Sequence, residues 1–363
     1  TVNEMLDRLE GMFALALWDR AKGRMLLARD RAGQKPLYYQ MSDGRLLFAS
    51  ELRALRSHPS VGNDIDRVAL SRYLLHEFVP GEDAILEGVR KLAPGHHLLV
   101  DSRGGDPVRY WSLPTGPPPV EVEGGMPAVV QGLLDRLEDS VRIRLRSDVP
   151  LGIFLSGGID SSTLVALACA RRDPGTVQTF TVRFDDPAYD ESGPARQVAR
   201  AFGTCHHEET FAVGDLVDLV GSLGVRMDEP FADASFFPTY LLSRVARRSV
   251  TVALGGDGSD EIFAGYETFR AIPFALGAEV CPPIVWSAAT AAAERWLPGA
   301  DDLGLSARVR PFLRGLALPR GRLRNARRLA AWLGAFLPQE ARSLYAGTLL
   351  NLSLSRQHSD RMH

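Results

Sequence analysis

A turn rich in glycine, serine and aspartate separates two apolar stretches near the middle of this 363-residue chain. It reads LGIFLSGGIDSST, residues 151–163: a strand-like run ends before Ser156, and a helical pattern resumes after Ser162. Backbone N–H groups at a helix N-terminus attract anions, and glycine lets a backbone approach a phosphate closely. Serine hydroxyls supply further hydrogen-bond donors. The turn therefore predicts a phosphate-binding loop.

The charged residues of this loop limit the class of phosphate-binding site that it can form. It has no lysine at the place that the P-loop pattern requires, so a P-loop kinase or GTPase is excluded. Asp160 instead puts a carboxylate beside the predicted phosphates, which is useful if Mg²⁺ bridges it to a polyphosphate. A helix start without a ligand is the alternative, because serine and aspartate are common capping residues. The complete SGGIDSS sequence after a strand favours the ligand site.

A second glycine-rich turn, in VTVALGGDGSDE (residues 250–261), also follows a strand-like run. It carries Asp257, Asp260 and Glu261 within five positions. Carboxylates this close repel one another unless a cation or hydrogen-bond donors intervene, so the turn predicts a cation site. A solvated acidic turn is the alternative, and the strand before the turn argues against it.

The elements that must hold these turns are readable from periodicity. Beyond about residue 128, helical patterns alternate with the strand-like runs LGIFL, VQTFTVRF, CHHEETF and VTVALGG. Alternation of this kind predicts a parallel, doubly wound α/β sheet, in which ligands bind beyond the carboxyl ends of the strands. The segment from 271 to 363 is rich in alanine, leucine and arginine, and a helical C-terminal extension is predicted there.

The N-terminal part has a different pattern. Residues 12–55 form short strand-like runs separated by turns, which predicts a meander of antiparallel strands. A helix behind Asp66 and two more strands follow. The proline- and glycine-rich stretch 115–127 resists both helix and sheet and is the predicted linker. The expected domains are therefore 1–114, an antiparallel β domain, and 128–363, the doubly wound domain.

Composition excludes several classes of protein. The formal net charge is -2, from 42 basic and 44 acidic residues, which gives no electrostatic reason to expect a nucleic-acid or anionic-membrane partner. No apolar run reaches the roughly 18 residues that a membrane span needs. The three cysteines form no CxxC pair, so neither a disulfide framework nor a zinc site is indicated. A cytoplasmic protein is expected.

The motifs resemble those of a known family. SGGIDSS resembles the pyrophosphate loop, SGGxDS, of the N-type ATP pyrophosphatases, which adenylate a carboxylate or carbonyl oxygen and then admit a nitrogen or sulfur nucleophile. DEPFADASFFPTYLLSR (228–244) and VALGGDGSDEIFAGY (252–266) resemble two later signatures of the glutamine-hydrolysing asparagine synthetases, and YDES (189–192) lies between them as in that family. GMFALALWD and LLARDRAGQKPLYY resemble the closing strands of the family's glutaminase domain. The resemblance covers residues 5–270.

The resemblance implies that ATP and Mg²⁺ bind here and gives each matching residue a role. Asp160 and Asp260 are the implied magnesium ligands, and Asp257 is the implied catalytic residue, a base for incoming ammonia near the acyl group. Asp233, Glu261 and Tyr266 fall in the substrate-side segments. The residues implied to contact ATP or its pyrophosphate are Leu155, Ser156, Gly157, Gly158, Asp160, Ser161, Ser162, Val182, Gly255 and Gly256.

Two features depart from the family pattern. Glutaminase activity in this family needs an N-terminal cysteine, and no cysteine occurs near the start of the chain. The family also carries a lysine, well after the GDGSDE turn, that stabilises charge on the phosphates. The lysines here are Lys22, Lys35 and Lys91, all before that turn. We therefore expect an internal fragment of a longer enzyme that is inactive in isolation.

The expected activity of the parent enzyme is ATP-dependent amidation of aspartate to asparagine through an aspartyl-adenylate, with ammonia from glutamine. Three alternatives stay open: a related ligase that activates another carboxylate (a β-lactam synthetase-like enzyme, a peptide cyclase or a secondary-pathway amidotransferase), an inactive nucleotide-binding pseudo-enzyme, and a tRNA-thiolating enzyme. The last needs catalytic cysteines and a basic surface, which the composition does not provide. The expected partners are aspartate, ATP and glutamine or ammonia, and a homodimer is left open.

Overall fold

The computed structural model describes residues 1–114, 124–187, 190–224, 227–296 and 305–318, together with 328 and 332. The chain divides into two compact units. Unit 1 comprises Thr1–Thr115, Met227–Ala232 and Ala271–His363, and unit 2 comprises Gly116–Arg226 and Asp233–Arg270. Most of the predicted linker, residues 115–123, lies outside the described residues, and a helix begins at Gly125. The predicted domain boundaries stay a prediction.

Unit 1 begins with strands and short helices. In chain order they are α1 (Val2–Asp7), β1 (Ala14–Asp19), β2 (Arg24–Arg29), β3 (Tyr38–Ser42), β4 (Arg45–Ala49), α2 (Leu52–Arg56), α3 (Arg67–His76), β5 (Arg90–Lys91), β6 (His96–Val100) and β7 (Pro107–Arg109). The strands form two antiparallel sheets, ordered β1-β2-β6-β7 and β4-β3-β5. One buried cluster draws Leu27 and Leu98 from the first sheet and Tyr39 from the second.

The predicted meander is wrong in one respect, because β2 and β3 belong to different sheets. The side chain of Asp30, 1% exposed, explains the break. Its carboxylate accepts hydrogen bonds from the backbone N–H groups of Phe13 (3.2 Å), Gln34 (2.9 Å) and Lys35 (3.0 Å). These bonds fix a turn in which the N–H groups of Gln34 and Lys35 are satisfied by a side chain instead of a neighbouring strand. The chain therefore leaves the first sheet before it starts the second.

Unit 2 alternates helices and strands. Its elements are α4 (Gly125–Arg144), β8 (Leu151–Phe154), α5 (Ile159–Cys169), β9 (Gln178–Phe184), α6 (Ser192–Phe202), β10 (Cys205–Phe211), α7 (Val213–Gly224), α8 (Phe236–Ala246), β11 (Val252–Leu254) and α9 (Ser259–Phe263). The four strands are parallel and ordered β10-β9-β8-β11. Two buried clusters, one around Val165 and Ala195 and one around Phe180 and Leu241, contain helix residues packed with the strands. The doubly wound sheet expected from the sequence is confirmed.

The strand order places a topological switch point beside β8. From β8 the chain adds β9 and then β10 on one side, and it returns to add β11 on the other. Ligands of doubly wound sheets bind at such a point, beyond the carboxyl ends of the strands. The two glycine-rich turns of the sequence follow these strands, the first after β8 and the second after β11.

The predicted helical extension is represented by the helices that follow α9. These are α10 (Glu267–Gly277), α11 (Pro283–Trp296) and α12 (Leu305–Leu316). Most of the remaining C-terminal segment lies outside the described residues. Among the helices that the structure describes, none is both long and apolar enough to span a bilayer.

Candidate active site

The phosphate-loop candidate is built on the end of β8. The N–H of Leu155 donates to the carbonyl of Phe180 at 2.9 Å, and its own carbonyl accepts from the hydroxyl of Thr181. Both partners lie on β9, so Leu155 is held in line with the strand although it is already past its end. Its side chain is 2% exposed. The predicted loop therefore starts from a fixed point, and the chain turns away from the sheet at Ser156.

Serine hydroxyls tie this loop to the first turn of α5. Ser161 Oγ accepts from the N–H of Ser156 at 3.2 Å and lies 3.0 Å from Ser156 Oγ. Ser156 Oγ in turn accepts from the N–H of Gly158 at 3.2 Å. Gly158 precedes the helix and provides no side-chain cap, while Ser162 is half-buried in the first turn. The arrangement orders the loop and gives the N-terminus of α5 the donors that an anion requires.

Gly157 shows why this loop needs glycine. Its φ of +83° lies in the left-handed region, which residues with a side chain rarely adopt. A Cβ at this position would lie 2.6 Å from the backbone of Pro194 and Ala195 at the start of α6. The loop is therefore packed against the N-terminal turn of α6. Asp190 and Ser192 of the YDES motif precede that contact, while Tyr189 lies outside the described residues.

Gly256 brings the two glycine-rich turns together. A Cβ on Gly256 would lie 3.0 Å from Cβ of Asp160 and 3.4 Å from the N–H nitrogen of Ser161. The backbone of the second turn therefore lies directly against the first turn of α5. Gly255 is less constrained, since a Cβ there would meet only the end of the Asp257 side chain, which can move aside. Two motifs that are far apart in sequence thus form one surface at the switch point.

The acidic side of this surface is organised around Tyr266. The phenol of Tyr266 donates to Glu261 Oε1 at 2.8 Å. This hydrogen bond, followed by burial and by the negative charges of Glu261, Asp260 and Asp233, raises the pKa of Tyr266 to about 12. Asp233 Oδ1 accepts from the N–H of Ser235 at 2.8 Å. The three substrate-side candidates of the sequence therefore share one region of negative potential with Asp260.

The two candidate magnesium ligands have the chemistry of a phosphate-dependent site. Asp160 lies in the first turn of α5 and Asp260 in the first turn of α9, after the adjacent strands β8 and β11. Within the residues described, no group of three or more His, Cys, Asp or Glu side chains has the arrangement of a metal site. Mg²⁺ in phosphate-transferring proteins takes one or two carboxylates and completes its shell with phosphate oxygens and water. The pair Asp160 and Asp260 fits that donor set.

Val182 lies apart from the two turns, on β9. Its side chain is half-buried and packs against the cluster around Phe180, so the side chain has a packing role. Its place is two residues beyond the carbonyl that accepts from Leu155, towards the carboxyl end of the strand. If Val182 contacts the nucleobase of a nucleotide, its backbone therefore makes that contact.

Two hydroxyl groups that support the turns were missed by the sequence reasoning. Thr181 donates to the carbonyl of Leu155, and Ser259 Oγ donates to the carbonyl of Gly256 at 2.8 Å. For Ser259 a signal was present, because a serine directly before helical acidic residues is a common partner of nearby backbone groups. For Thr181 no local signal exists, since its partner, Leu155, is 26 positions away in sequence.

Two family models match this chain, each over a separate part of the sequence. The family model of asparagine synthase matches residues 132–358, and that of the glutamine amidotransferase domain matches residues 2–111. A protein of Methanocaldococcus jannaschii described as an asparagine synthetase (glutamine-hydrolyzing) is 36% identical over 269 residues, covering 73% of this chain and 51% of the relative.

Two further relatives are somewhat less similar to this chain. Asparagine synthetase (glutamine-hydrolyzing) 1 of Bacillus subtilis is 33% identical over 267 residues, covering 74% of this chain and 41% of the relative. Amidase chyE of Penicillium rubens is 31% identical over 281 residues, with coverages of 73% and 41%. The chain thus spans about half the length of these relatives, or less.

Proposed function

The chain belongs to the asparagine synthase family, and from this membership we propose that it takes part in the ATP-dependent formation of an amide on a carboxylate. The observation that carries the proposal is the meeting of the two glycine-rich turns at the switch point, with Gly256 against Asp160. An N-terminal helix turn rich in donors and a neighbouring acidic turn suit a nucleotide triphosphate with its cation.

The proposed reaction is the conversion of aspartate to asparagine. A side-chain carboxylate oxygen of aspartate bonds to the α-phosphorus of ATP as the bond to the β-phosphate breaks, giving an aspartyl-adenylate and pyrophosphate. Ammonia then attacks the acyl carbon, AMP leaves, and a proton from the nitrogen passes to a base. Asp257 is the proposed base, and glutamine is the proposed source of ammonia.

The residues around the phosphates do the binding in this proposal. The backbone N–H groups of Gly157, Ile159 and Ser161, with the hydroxyls of Ser156 and Ser161, hold the pyrophosphate end of ATP. Asp160 and Asp260 would hold Mg²⁺, which supplies neutralisation of charge on the departing pyrophosphate. The backbone of Val182 is the proposed neighbour of the adenine.

The acidic region is the proposed substrate side. Aspartate carries an α-ammonium group beside the carboxylate that reacts, and a cation of this kind is attracted by the negative potential of Asp233 and Glu261. Tyr266 donates to Glu261, and its pKa, raised from 10.0 to about 12, lies far above the neutral range, where an ordinary tyrosine is also protonated. Its phenol therefore stays a hydrogen-bond donor throughout the neutral pH range.

A second candidate function is supported by the relatives. One of them carries the name amidase rather than asparagine synthetase, so a related carboxylate-activating ligase with another acceptor is the alternative. Dependence of pyrophosphate release on aspartate separates the two.

The first test is calorimetric titration of MgATP into this chain and into Asp160→Ala. We expect binding to weaken by a factor on the order of 10 to 100, as removal of one charged ligand costs about 1.4–2.8 kcal/mol. Asp148→Ala is the matched control, since Asp148 is exposed and lies before β8, at the opposite end of that strand. Equal affinity in all three folded proteins would rule out the proposed phosphate site.

A further inference from the structure

A six-residue segment, Met227–Ala232, departs from the fold of its neighbours in sequence. It opens the signature at 228–244 that the sequence assigned to the substrate side, yet it belongs to unit 1. Residues on both sides of it, up to Arg226 and from Asp233, belong to unit 2. The chain therefore enters unit 1 for six residues and continues from Ala232 directly into Asp233.

Glu229 anchors this segment through a buried carboxylate. Its side chain is 14% exposed. Oε1 accepts from the N–H of Ile85 at 2.9 Å, while Oε2 accepts from Lys91 Nζ at 3.0 Å and from the phenol of Tyr38 at 3.4 Å. Lys91 also donates to the carbonyl of Val79 at 2.5 Å. Both oxygens of the carboxylate thus have partners in unit 1, which is the condition under which a buried charge is tolerated.

Two weaker contacts flank this anchor. Arg53 Nε lies 3.0 Å from Asp228 Oδ1, but the arginine side chain is 56% exposed, so this ion pair contributes little. The N–H of Ala232 donates to the carbonyl of Glu77 at 2.8 Å. The three contacts run along the segment from Asp228 to Ala232. Of the three residues, Glu229 makes the most hydrogen bonds and has the least exposed side chain.

The polar character of the anchor indicates a role beyond stability. A well-packed apolar contact of the same volume stabilises a fold at least as well as a buried ion pair. Three directional hydrogen bonds on one carboxylate instead allow a single placement of the backbone. The partners Lys91 and Glu229 are 138 positions apart in sequence, so the bonds fix this placement over a long chain separation.

We propose that Glu229 is a positioning residue for the substrate side of the site: its carboxylate, held by Lys91, Tyr38 and the N–H of Ile85, fixes residues 227–232 and thereby the start of the chain at Asp233. This inference rests on the proposed function for its consequence in catalysis. Asp233 follows this segment directly in the chain, so a less ordered 227–232 segment leaves the backbone of Asp233 less constrained.

The first test does not depend on activity. Hydrogen–deuterium exchange is measured by mass spectrometry for peptides within 233–246 in the wild type, Glu229→Gln, Lys91→Met and Tyr38→Phe. We expect exchange to accelerate on the order of tenfold in Glu229→Gln and Lys91→Met, and less in Tyr38→Phe, which removes one long hydrogen bond. Lys91→Arg keeps the cation, so its exchange lies between those of the wild type and Lys91→Met.

Asp83→Asn is the matched control. It breaks the ion pair of Arg72 and Asp83, which is buried to a similar degree (15% and 19% exposed) in unit 1 but does not involve residues 227–232. A purely structural role of Glu229 predicts that Asp83→Asn accelerates exchange in 233–246 as much as Glu229→Gln does at equal loss of melting temperature. That result, or unchanged exchange in both folded Glu229→Gln and Tyr38→Phe, would overturn the proposal.

The second test separates this inference from the proposed function. With MgATP bound, addition of aspartate is followed as a shift in melting temperature. We expect Glu229→Gln to bind MgATP like the wild type, because the phosphate loop follows β8, and to lose about tenfold in apparent aspartate affinity. Wild-type protein that binds neither ligand contradicts the proposed function, while the exchange experiment still decides whether Glu229 positions the chain. Equal aspartate affinity in Glu229→Gln contradicts the catalytic consequence.

Discussion

The carboxylate of Glu229 and the carboxylates at the switch point of unit 2 are held in opposite ways. Glu229 is largely buried, and a lysine, a phenol and a backbone N–H satisfy it. Asp257 and Glu261 are exposed, Asp160 and Asp260 half-exposed. None of these four groups takes part in an ion pair with a lysine or arginine whose side chain the structure describes. In unit 1 the charge of Glu229 is neutralised by partners that fix the backbone. In unit 2 the negative potential of the four acids stays available to a cation or a ligand.

The comparison predicts that removing a charge has opposite consequences in the two regions. In unit 1 the loss of a partner leaves a buried charge unsatisfied, so stability falls. In unit 2 the loss of one acid relieves repulsion between neighbouring acids, so stability holds or rises while binding weakens. Three substitutions that remove a charge test this contrast, and one glycine substitution tests the loop beside the acids, from the largest expected effect to the smallest.

Lys91→Met should have the largest effect on stability. It leaves the Glu229 carboxylate buried without its cation, and we expect a loss of about 3 kcal/mol in the free energy of unfolding, measured in urea. Arg90→Met is the control on the same strand, because the Arg90 side chain is 53% exposed and lies 3.7 Å from Glu82. It should cost less than about 1 kcal/mol. Equal losses in the two variants would remove the distinction between anchored and exposed charges.

Gly157→Ala should come next, at about 2 kcal/mol, because alanine is strained at a left-handed φ and its Cβ meets backbone atoms that cannot move aside. We expect the affinity for MgATP to fall as well, because the phosphate-loop backbone at residue 157 must shift to make room for the Cβ. The control is Gly193→Ala on the neighbouring helix, where a Cβ would meet nothing within 4 Å. Urea denaturation and calorimetry provide the two readouts. An unaltered MgATP affinity in folded Gly157→Ala would show that the loop does not bind phosphate.

Asp260→Asn should separate binding from stability. We expect MgATP to bind on the order of tenfold more weakly, because a candidate magnesium ligand loses its charge. The free energy of unfolding without ligand should stay the same or rise by about 0.5 kcal/mol, because repulsion with Glu261 is relieved. Titration of ATP with and without Mg²⁺ gives the test, with Asp148→Asn as control. If the affinity loss is the same without Mg²⁺, then Asp260 does not act through the cation.

Glu261→Gln should have the smallest effect, confined to one phenol. The hydrogen bond and charge of Glu261 contribute to raising the pKa of Tyr266 from its ordinary 10.0 to about 12. The substitution should return it most of the way towards 10.0, as seen in the tyrosinate absorbance of each protein minus that of its Tyr266→Phe derivative. Because the folded-state pKa is raised, this pair stabilises the fold fully below pH 10 and loses that contribution as the pH rises to about 12. An unchanged titration would mean that Glu261 does not hold the phenol in solution.

Much of the fold and part of the site were predictable from local sequence. The helix behind Asp66 follows the expected cap, since the Asp66 carboxylate accepts from the N–H groups of Val68 and Ala69 at 2.8 and 2.9 Å. The strand–turn–helix succession around Ser156 was equally readable, because a switch from strand to helical periodicity around glycine and serine is a local property. The roles of the individual site residues stay predictions. The anchor at Glu229 was not predictable, as its partners are 138 to 191 positions away in sequence.

The sequence by itself determined where strands, helices and glycine-rich turns occur, because periodicity and turn chemistry act over a few residues. The tertiary structure decided which strands are neighbours, and thus that the turns after β8 and β11 meet at one switch point with Gly256 against Asp160. It also decided that the signature at 228–244 is divided after Ala232. Strand pairing and buried ion pairs join residues that are distant in sequence, and their free energy depends on burial and geometry that no local pattern contains.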